Sequence, residues 1–351
     1  MSGLTFHPQV LRLRAPLFTA HGAVHVREGW IVRFEAEGVS GWGEALPLPA
    51  FGTEALEDCG RALARARDQL GDGLTDPEAL EAVLAPFAET PTARFALESA
   101  LLDWLARREG RSVASLLGEV QRPTVEVNAL LGGETLNALV ASARDARGAG
   151  FQTAKLKVGG RPIKEDVARV FAVREALGSA LRLRVDANGA WSQEEAIEAL
   201  TAMAPAGLEL CEQPTPPAAL EALAAVHARG LCALAADETL LVPEAFEWLL
   251  HHRACDVLVL KPMALGGLLR SAAWARRAAD AGIDAYVTSF LDGDLGRAAA
   301  AQLASVLPTA KAHGLATGAL FDAPTHAGWL QPREGALTVS SSPGLGVEGP
   351  R

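Results

Sequence analysis

Five charged residues stand at regular intervals along the central part of the chain, each at or near the end of a short apolar run. From Lys157 the interval is 29 residues to Asp186, 26 to Glu212, 25 to Asp237 and 24 to Lys261. An interval of that length holds one β-strand, one α-helix and the two loops that join them. Such βα units, when repeated, close into a barrel in which the carboxyl ends of the strands meet at one mouth. The spacing therefore predicts that two lysines and three carboxylates line one cavity.

The three carboxylates have the chemistry of a magnesium site. Asp186, Glu212 and Asp237 would each supply a hard oxygen ligand, which leaves roughly half of the octahedral shell of Mg²⁺ for water and substrate. Without a cation between them, three crowded carboxylates would repel one another. The alternative is that each is a solvated residue at the start of a loop. Their common register and the flanking lysines favour a metal site, with Mg²⁺ or Mn²⁺ as the ion.

The lysines suit proton transfer. Lys155 and Lys157 are two residues apart, so on a strand their side chains lie on the same face and point into the barrel. Repulsion from the Lys155 ammonium group favours the neutral form of Lys157, which is the form that accepts a proton. Lys261 would lie across the ring from them, where its charge stabilises an anion. A base, an opposite ammonium group and a metal suit removal of a proton α to a carboxylate, through an enediolate.

The composition is that of an ordinary globular protein and disfavours several classes of function. Of the 351 residues, 49% are hydrophobic and 21% are charged, and the net charge is −10. A negative net charge without a basic cluster disfavours nucleic acid as a partner. The cysteines show no Cys-x-x-Cys spacing, which disfavours a zinc site or a redox dithiol. The sequence shows neither a signal sequence nor an apolar run of about 18 residues, so we expect a cytoplasmic protein that does not contact membranes.

The amino-terminal third is predicted to be a sheet followed by helices. The expected strands cover residues 4–13, 24–34 and 40–44, and the expected helices cover 54–70, 77–87 and 92–108. The strands alternate between apolar and polar residues, as in a sheet that is covered on one face. A sheet followed by helices is typical of a separate α+β domain.

From residue 124 onward, strands are predicted to alternate with helices. The expected strands lie in the apolar runs at residues 124–131, 153–158, 183–188, 208–214, 233–238, 256–262, 284–289 and 311–316. Three of the helices between them are expected at residues 134–147, 217–229 and 243–252. Ser192 and Glu195 form a capping box at the start of another. The tail beyond the last strand is too short to be a domain, so we expect it to pack on the first domain.

The order of the motifs resembles the enolase superfamily, in its muconate-lactonizing subgroup. These motifs are Lys155-x-Lys157, Asp186-x-Asn188, Glu212-Gln213-Pro214, Asp237-Glu238 and Lys261-Pro262. The resemblance implies an α+β capping domain at residues 1–115, a modified (β/α)7β TIM-type barrel at residues 116–325, and a tail at residues 326–351 that returns to the capping domain. It also implies a role for each charged residue: Asp186, Glu212 and Asp237 bind Mg²⁺, Lys157 is the acid/base, Lys261 is the opposite lysine and Lys155 assists electrostatically.

Within the subgroup, the chain most resembles the o-succinylbenzoate synthases. The loop at residues 41–54, which contains Phe51, is similar to their cap loop, and Arg184 is similar to the arginine of their Arg-x-Asp motif. The segment that contains Ser289 also resembles theirs, and there Ser289 would bind a substrate carboxyl group. The resemblance implies dehydration of 2-succinyl-6-hydroxy-2,4-cyclohexadiene-1-carboxylate to o-succinylbenzoate, a step of menaquinone or phylloquinone synthesis. Arg184, Asn188 and Glu238 are expected to bind the substrate or support the site, Glu238 by a hydrogen bond.

Other functions remain open from the sequence. An N-acylamino acid racemase or a dipeptide epimerase on the same scaffold would use both Lys157 and Lys261, one on each face of the substrate. Muconate cycloisomerisation is a further activity of the subgroup. A Schiff-base aldolase would use a single lysine such as Lys261, and a barrel without activity would only bind a ligand. His21 and His313 are minor candidates for substrate contact, and the oligomeric state is left open.

Overall fold

A computed structural model describes residues 3–19, 22–69, 77–322 and 327–349. His21, one of the candidate substrate contacts, lies outside these ranges. Within them, no helix combines the length and the apolar character that crossing a membrane requires.

The first part of the chain is an antiparallel sheet covered by helices, as the sequence predicts. The strands are β1 (Gly3–Thr19), β2 (Gly22–Ala36) and β3 (Val39–Ala45), paired in the order β1-β2-β3. The helices are α1 (Leu56–Gln69), α2 (Pro77–Leu84), α3 (Pro91–Arg108) and the short α4 (Val113–Leu117). All three strands are longer than predicted.

Helix α3 is the core of this capping domain. Every residue from 92 to 106 is buried. The helix lies against β3 at Gly41 and Gly43, where an added Cβ atom would collide with backbone carbonyl oxygens of α3. Glycine is therefore required at both positions for the helix and the strand to approach this closely.

Seven parallel strands form the sheet of the barrel, in the order β11-β10-β9-β8-β7-β6-β5. The segment predicted as one strand at 124–131 is in fact two, β4 (Thr124–Glu126) and β5 (Ala129–Leu131). The other barrel strands are β6 (Thr153–Lys157), β7 (Arg182–Asp186), β8 (Leu208–Glu212), β9 (Ala233–Ala236), β10 (Val257–Leu260) and β11 (Asp284–Val287). The barrel strands are buried on both faces, as expected for a parallel sheet covered by helices.

The helices follow the strands in alternation. They are α5 (Leu136–Gly148), α6 (Ile163–Leu177), α7 (Gln193–Met203), α8 (Leu220–His227), α9 (Ala245–His252), α10 (Pro262–Leu265), α11 (Leu268–Asp280) and α12 (Asp294–Val306). The predicted capping box of α7 is confirmed, with Ser192 N donating to Glu195 Oε2 at 2.8 Å and Glu195 N to Ser192 Oγ at 3.2 Å. Helix α8 is shorter than predicted because the Pro216-Pro217 pair comes before it in a turn.

The predicted eighth strand at 311–316 is reduced to two bridging residues. His313 pairs with Val127 and Gly314 pairs with Thr288, each as an isolated parallel bridge. The backbone of His313 donates to Glu126 O at 2.8 Å, and the backbone of Ser289 donates to Gly314 O at 3.0 Å. These bonds connect the first and last parts of the sheet, so the ring closes through this short segment.

The carboxyl-terminal segment packs on the capping domain. Strand β12 (Ala336–Thr338) pairs antiparallel with β4, which is why β4 leaves the barrel sheet. Further along, Leu345 N donates to Asp103 Oδ1 at 2.6 Å, and Arg107 Nη2 donates to Val347 O at 2.6 Å. Asp103 and Arg107 both belong to α3, so the tail is fixed to the buried helix of the cap. The domain limits at residues 115 and 325 stay predictions.

Candidate active site

The charged residues singled out from the sequence meet at the carboxyl ends of the barrel strands. Lys157, Asp186 and Glu212 are the last residues of β6, β7 and β8. Asp237 and Lys261 directly follow β9 and β10. The register pairs Lys157 with Asp186 and Asp186 with Glu212, which puts these three side by side at one level of the barrel.

Each carboxylate is buried and paired with an ammonium group. Lys155 Nζ lies 2.9 Å from Glu212 Oε1 and 3.2 Å from Asp186 Oδ2, so it bridges two strands. Lys157 Nζ lies 3.5 Å from the same Asp186 oxygen. Lys261 Nζ donates to Asp237 Oδ2 on the other side of the ring. The three carboxylate side chains are at most 2% exposed.

The pairing shifts the pKa values of the buried groups in opposite directions. Burial alone would lower the pKa of Lys155 and of Lys261, but the neighbouring carboxylates outweigh it, and the pKa of both amines lies above its ordinary value. Burial would raise the pKa of Asp186, but the three lysines hold it below its usual range. The pKa of Asp237 is raised well above its usual range by burial and by repulsion from Glu238, beyond what Lys261 offsets. Negative charge is therefore in excess around Asp237.

Asn188 links the predicted base to a buried carboxylate. Its Oδ1 accepts a hydrogen bond from Lys157 Nζ, and its Nδ2 donates to Glu238 Oε1 at 2.8 Å. The backbone of Asn188 has φ of +44°, a left-handed conformation that asparagine adopts more readily than most residues. Glu238 is 6% exposed, and its other oxygen, Oε2, has no hydrogen-bond partner among the described residues. Asn188 and Glu238 thus lie where the sequence analysis expected supporting residues.

Tyr286 is a site residue that the sequence analysis missed. It lies on β11, and its hydroxyl donates to Glu212 Oε2 at 2.6 Å. Burial and the Glu212 charge raise the pKa of Tyr286 well above its usual range, so the phenol stays protonated. It is the single tyrosine of the chain, and its position on the strand after Lys261 was the available signal.

Arg184 and His313 do not line the cavity. The guanidinium of Arg184 is buried below the carboxylates, where Nε donates to Glu209 Oε2 at 2.6 Å and Nη1 donates to Ala312 O at 2.7 Å. Arg184 therefore supports the barrel floor and is not a substrate contact. His313 is 1% exposed, and its Nδ1 accepts from Val287 N at 3.0 Å. Burial lowers the pKa of His313 to about 3, so its ring is neutral and serves to close the barrel.

The wall of the cavity comes from both domains. Phe51 of the cap loop lies edge-on to Phe290, with ring centroids 6.2 Å apart. Ser289 also lines the cavity, and its Oγ accepts from Thr317 Oγ1 and from Asp292 N, each at 3.0 Å. Among the described residues, the lining outside the charged centre is Leu17, Leu48, Phe51, Asn128, Leu130, Asn188, Thr288, Ser289, Phe290, Leu291, Gly314, Ala316 and Thr317.

The donor set fits a divalent cation by its chemistry. In the described ranges no three Asp, Glu, His or Cys side chains are spaced as a metal site, because lysine ammonium groups lie between the carboxylates. Asp186, Glu212 and Asp237 nevertheless offer three buried carboxylates at the carboxyl ends of neighbouring strands, which is the oxygen-rich set that Mg²⁺ prefers. Beside Asp237, the buried Oε2 of Glu238 has no hydrogen-bond partner among the described residues, and a cation in the centre would offset its charge.

Family models cover most of the chain. Residues 138–350 match the model described as enolase C-terminal domain-like, and residues 8–104 match the MenC amino-terminal domain. The chain belongs to the enolase superfamily. The resemblance stated from the five motifs is thereby confirmed, and so is the fold of a modified barrel with an amino-terminal capping domain.

Similar superfamily members carry out different reactions. The chain is 30% identical to the L-Ala-D/L-Glu epimerase of Bacillus subtilis, over 96% of this chain and 93% of that one. It is 34% identical to the o-succinylbenzoate synthase of Thermobifida fusca, over 92% of this chain and 85% of that one. A dipeptide epimerase from Enterococcus faecalis, solved with Mg and L-Leu-L-Tyr, superposes with a TM-score of 0.90 at 28% identity, covering 98% of each chain. Muconate cycloisomerases match at similar identity. The family assignment thus establishes a lyase or epimerase scaffold and leaves the specific reaction open.

Proposed function

We propose that this superfamily member is a Mg²⁺-dependent carbon–oxygen lyase that dehydrates 2-succinyl-6-hydroxy-2,4-cyclohexadiene-1-carboxylate to o-succinylbenzoate. Asp186, Glu212 and Asp237 would hold the cation, which supplies positive charge for the substrate carboxylate. Lys157 and Lys261 would carry out the chemistry, and Lys155 would assist electrostatically. In the cell this reaction would be a cytoplasmic step towards menaquinone or phylloquinone.

Lys157 is proposed as the acid and base of this reaction. Its amine would remove the ring proton α to the carboxylate, and the electron pair of the broken C–H bond would move into an enediolate. The resulting ammonium group would then protonate the leaving hydroxyl, so that the C–O bond breaks and water departs. Asn188 fixes the position of the Lys157 amine, because its own amide is oriented by Glu238.

Lys261 is proposed to stabilise the anion from the opposite side of the ring. Its ammonium group is held by Asp237 and stays charged, so its field acts on the developing enediolate. A Schiff-base aldolase would need this amine in its neutral form to attack a carbonyl group. The buried ion pair with Asp237 works against that form, so the aldolase alternative has less support.

The neutral wall of the cavity is the observation that favours the cyclohexadiene substrate over a dipeptide. Beyond the lysines and carboxylates of the centre, the described lining residues are all apolar or neutral, with no acidic side chain among them. The free ammonium group of a dipeptide would lose its hydration there without gaining a counter-charge, which is costly. A cyclohexadiene ring can pack against Phe51 and Leu48 instead. Ser289 and Thr317 offer hydroxyl groups to a succinyl chain.

The direct test is incubation with the cyclohexadiene substrate and Mg²⁺ while its absorbance is followed. We expect turnover by the wild-type enzyme, loss of turnover in EDTA, and loss in Lys157→Ala. Lys164→Ala is the control, because Lys164 is exposed on α6. Absence of turnover together with racemisation of N-succinyl amino acids would overturn the proposal in favour of the racemase.

Two further assays separate the rivals. In D₂O a racemase or an epimerase exchanges the α-hydrogen of its substrate for deuterium, and Lys261→Ala should abolish this exchange. The proposed lyase should show no such exchange with a dipeptide. An aldolase would be trapped by borohydride as an adduct on a lysine and would keep its activity in EDTA. Either result would contradict the proposed reaction.

A further inference from the structure

Tyr286 lies beneath the carboxylate centre, in the floor of the barrel. Its side chain is 1% exposed and packs in a small apolar cluster inside the ring, formed with Leu210, Ala235, Val257 and Val259. The hydroxyl is the one polar side-chain group of this cluster. This hydroxyl lies at the end of the cluster that is nearest to Glu212.

The hydroxyl of Tyr286 and the amine of Lys155 hold the two oxygens of Glu212 separately. Tyr286 donates to Oε2 at 2.6 Å, while Lys155 Nζ donates to Oε1 at 2.9 Å. Lys155 Nζ also contacts Asp186 Oδ2, so Oε1 is the Glu212 oxygen on the side of that carboxylate. The bond from Tyr286 therefore fixes the plane of the Glu212 carboxylate and presents Oε1 to the centre.

Arg184 holds the tyrosine ring in turn. Its guanidinium carbon lies 4.6 Å from the centroid of the Tyr286 ring, a cation–π contact. The guanidinium is itself fixed by Glu209 and by the Ala312 carbonyl oxygen. A buried ring held in this way cannot turn its hydroxyl away from Glu212 without breaking these contacts.

We propose that Tyr286 is a positioning residue for metal binding: it orients Glu212 as a cation ligand from below the site. This inference rests on the proposed function, in which Glu212 binds Mg²⁺. Hydrogen bonds that orient a ligating carboxylate contribute to metal affinity, and their loss weakens binding about 10-fold to 100-fold. Tyr286 touches neither the substrate cavity nor the reacting atoms, so its effect appears first in the affinity for the ion.

Tyr286→Phe removes the hydroxyl and keeps the ring. We expect its Mg²⁺ dissociation constant, measured by calorimetry without substrate, to rise about 10-fold to 100-fold. Ser271→Ala is the matched control, because it removes another buried hydroxyl, which donates to Gly267 O at 2.7 Å at the start of α11 and does not line the cavity. Its Mg²⁺ affinity should stay within about twofold of wild type, since nothing in the site changes. An unchanged affinity in Tyr286→Phe would overturn the inference.

A second measurement covers the case in which Tyr286→Phe does not fold. Because the chain has one tyrosine, wild-type protein labelled with tyrosine carrying ¹³C at Cζ alone gives a single labelled signal. We expect that signal to shift as Mg²⁺ is added, because Glu212 then shares its charge with the ion. A signal that stays in place at saturating Mg²⁺ would contradict the role of Tyr286. If the wild-type protein binds no Mg²⁺ at all, the proposed function fails, and the inference fails with it.

Discussion

Replacing Lys261 by methionine tests how much unfolding free energy the protein loses when a buried carboxylate has neither its ammonium partner nor a bound cation. Asp237 is 2% exposed in its side chain, and Lys261 is the ammonium group that donates to it. Breaking a buried ion pair by removing one partner costs about 3–5 kcal/mol of unfolding free energy, because the other charge is left uncompensated. Methionine fills similar space, so little of the loss would come from a cavity. We therefore expect Lys261→Met to lose about 3–5 kcal/mol at pH 8 in EDTA.

The loss of unfolding free energy in Lys261→Met should be larger at high pH than at low pH. Burial and Glu238 raise the pKa of Asp237 well above its ordinary value, so the folded variant takes up a proton there more readily than the unfolded chain. Stability from this group is then present at low pH and is lost as pH rises through the folded pKa. In wild type the ammonium group of Lys261 stays charged over this range because its pKa is raised, and its charge lowers the pKa of Asp237 relative to the variant. The difference between variant and wild type should consequently be smaller at pH 5 than at pH 8.

Urea denaturation measures this difference, in EDTA and with Mg²⁺. Added Mg²⁺ should stabilise Lys261→Met more than wild type, because the ion replaces the missing positive charge and is repelled by one ammonium group fewer. A ligand at 100 times its dissociation constant contributes about 2.7 kcal/mol to the unfolding free energy. Lys164→Met is the control on the exposed face of α6 and should stay within about 0.5 kcal/mol of wild type. Equal unfolding free energies for wild type and Lys261→Met at pH 8 in EDTA would refute the reasoning.

Three further predictions concern proton transfer, the tail and pH. Lys157→Ala should lower kcat by about 10²-fold to 10⁴-fold with the fold unchanged by circular dichroism, since only the acid and base is lost. Asp103→Ala leaves Trp42 N, Leu345 N and Arg107 without their buried acceptor, so it should cost about 3–5 kcal/mol and expose the tail to limited proteolysis; an uncut tail would contradict the tail attachment. Burial raises the pKa of Glu44 from 4.5 to about 7, so its contribution to the unfolding free energy falls as pH rises through that window. Glu44→Gln should remove this part of the pH dependence in chemical denaturation, and a variant with the wild-type pH profile would argue against it.

The charged centre was predictable because it depends on a repeat in the sequence. The charged residues recur at the length of a βα unit, and the carboxyl ends of parallel strands must meet at one edge. A second signal points the same way: the chain has five lysines, and Lys155, Lys157 and Lys261 are three of them. Most of the other basic residues of the chain are arginines, so a lysine at a strand end is an uncommon choice here. The roles given to these residues stay proposals, although their convergence is now a structural fact.

Tyr286 could not be predicted by the same reasoning, because its strand carries no periodic signal. Strand β11 has four residues, three of them buried, so an alternation of apolar and polar residues does not show which side chains face inward. Arg184 shows a related limit of strand patterns. It lies two residues before Asp186 and faces the same way, but two residues of strand are about 6.6 Å, which moves it below the cavity. The split at 124–131 depends on pairing with β12, more than 200 residues later, which a local pattern does not contain.

The division of the site into a charged centre and a neutral wall fits a superfamily whose members are named for different reactions. Epimerisation and dehydration can both begin with removal of a proton next to a carboxylate, which the centre can perform. The later steps of the reaction depend on which groups of the substrate the wall accepts. In this protein the wall is assembled at the junction of the two domains. Arg27 of β2 donates to Pro47 O at 2.9 Å in the cap loop and to Phe290 O at 3.3 Å in the barrel.

Because one buried guanidinium holds both loops, the two faces of the wall are fixed relative to each other before substrate arrives. Phe51 and Phe290 meet edge-on across this junction. A change in either loop would therefore alter the space beside the centre without disturbing the lysines or the carboxylates. We therefore expect specificity in this chain to depend on the cap loop and the segment after β11, so that substitutions there change which substrate is accepted before they change the proton transfer.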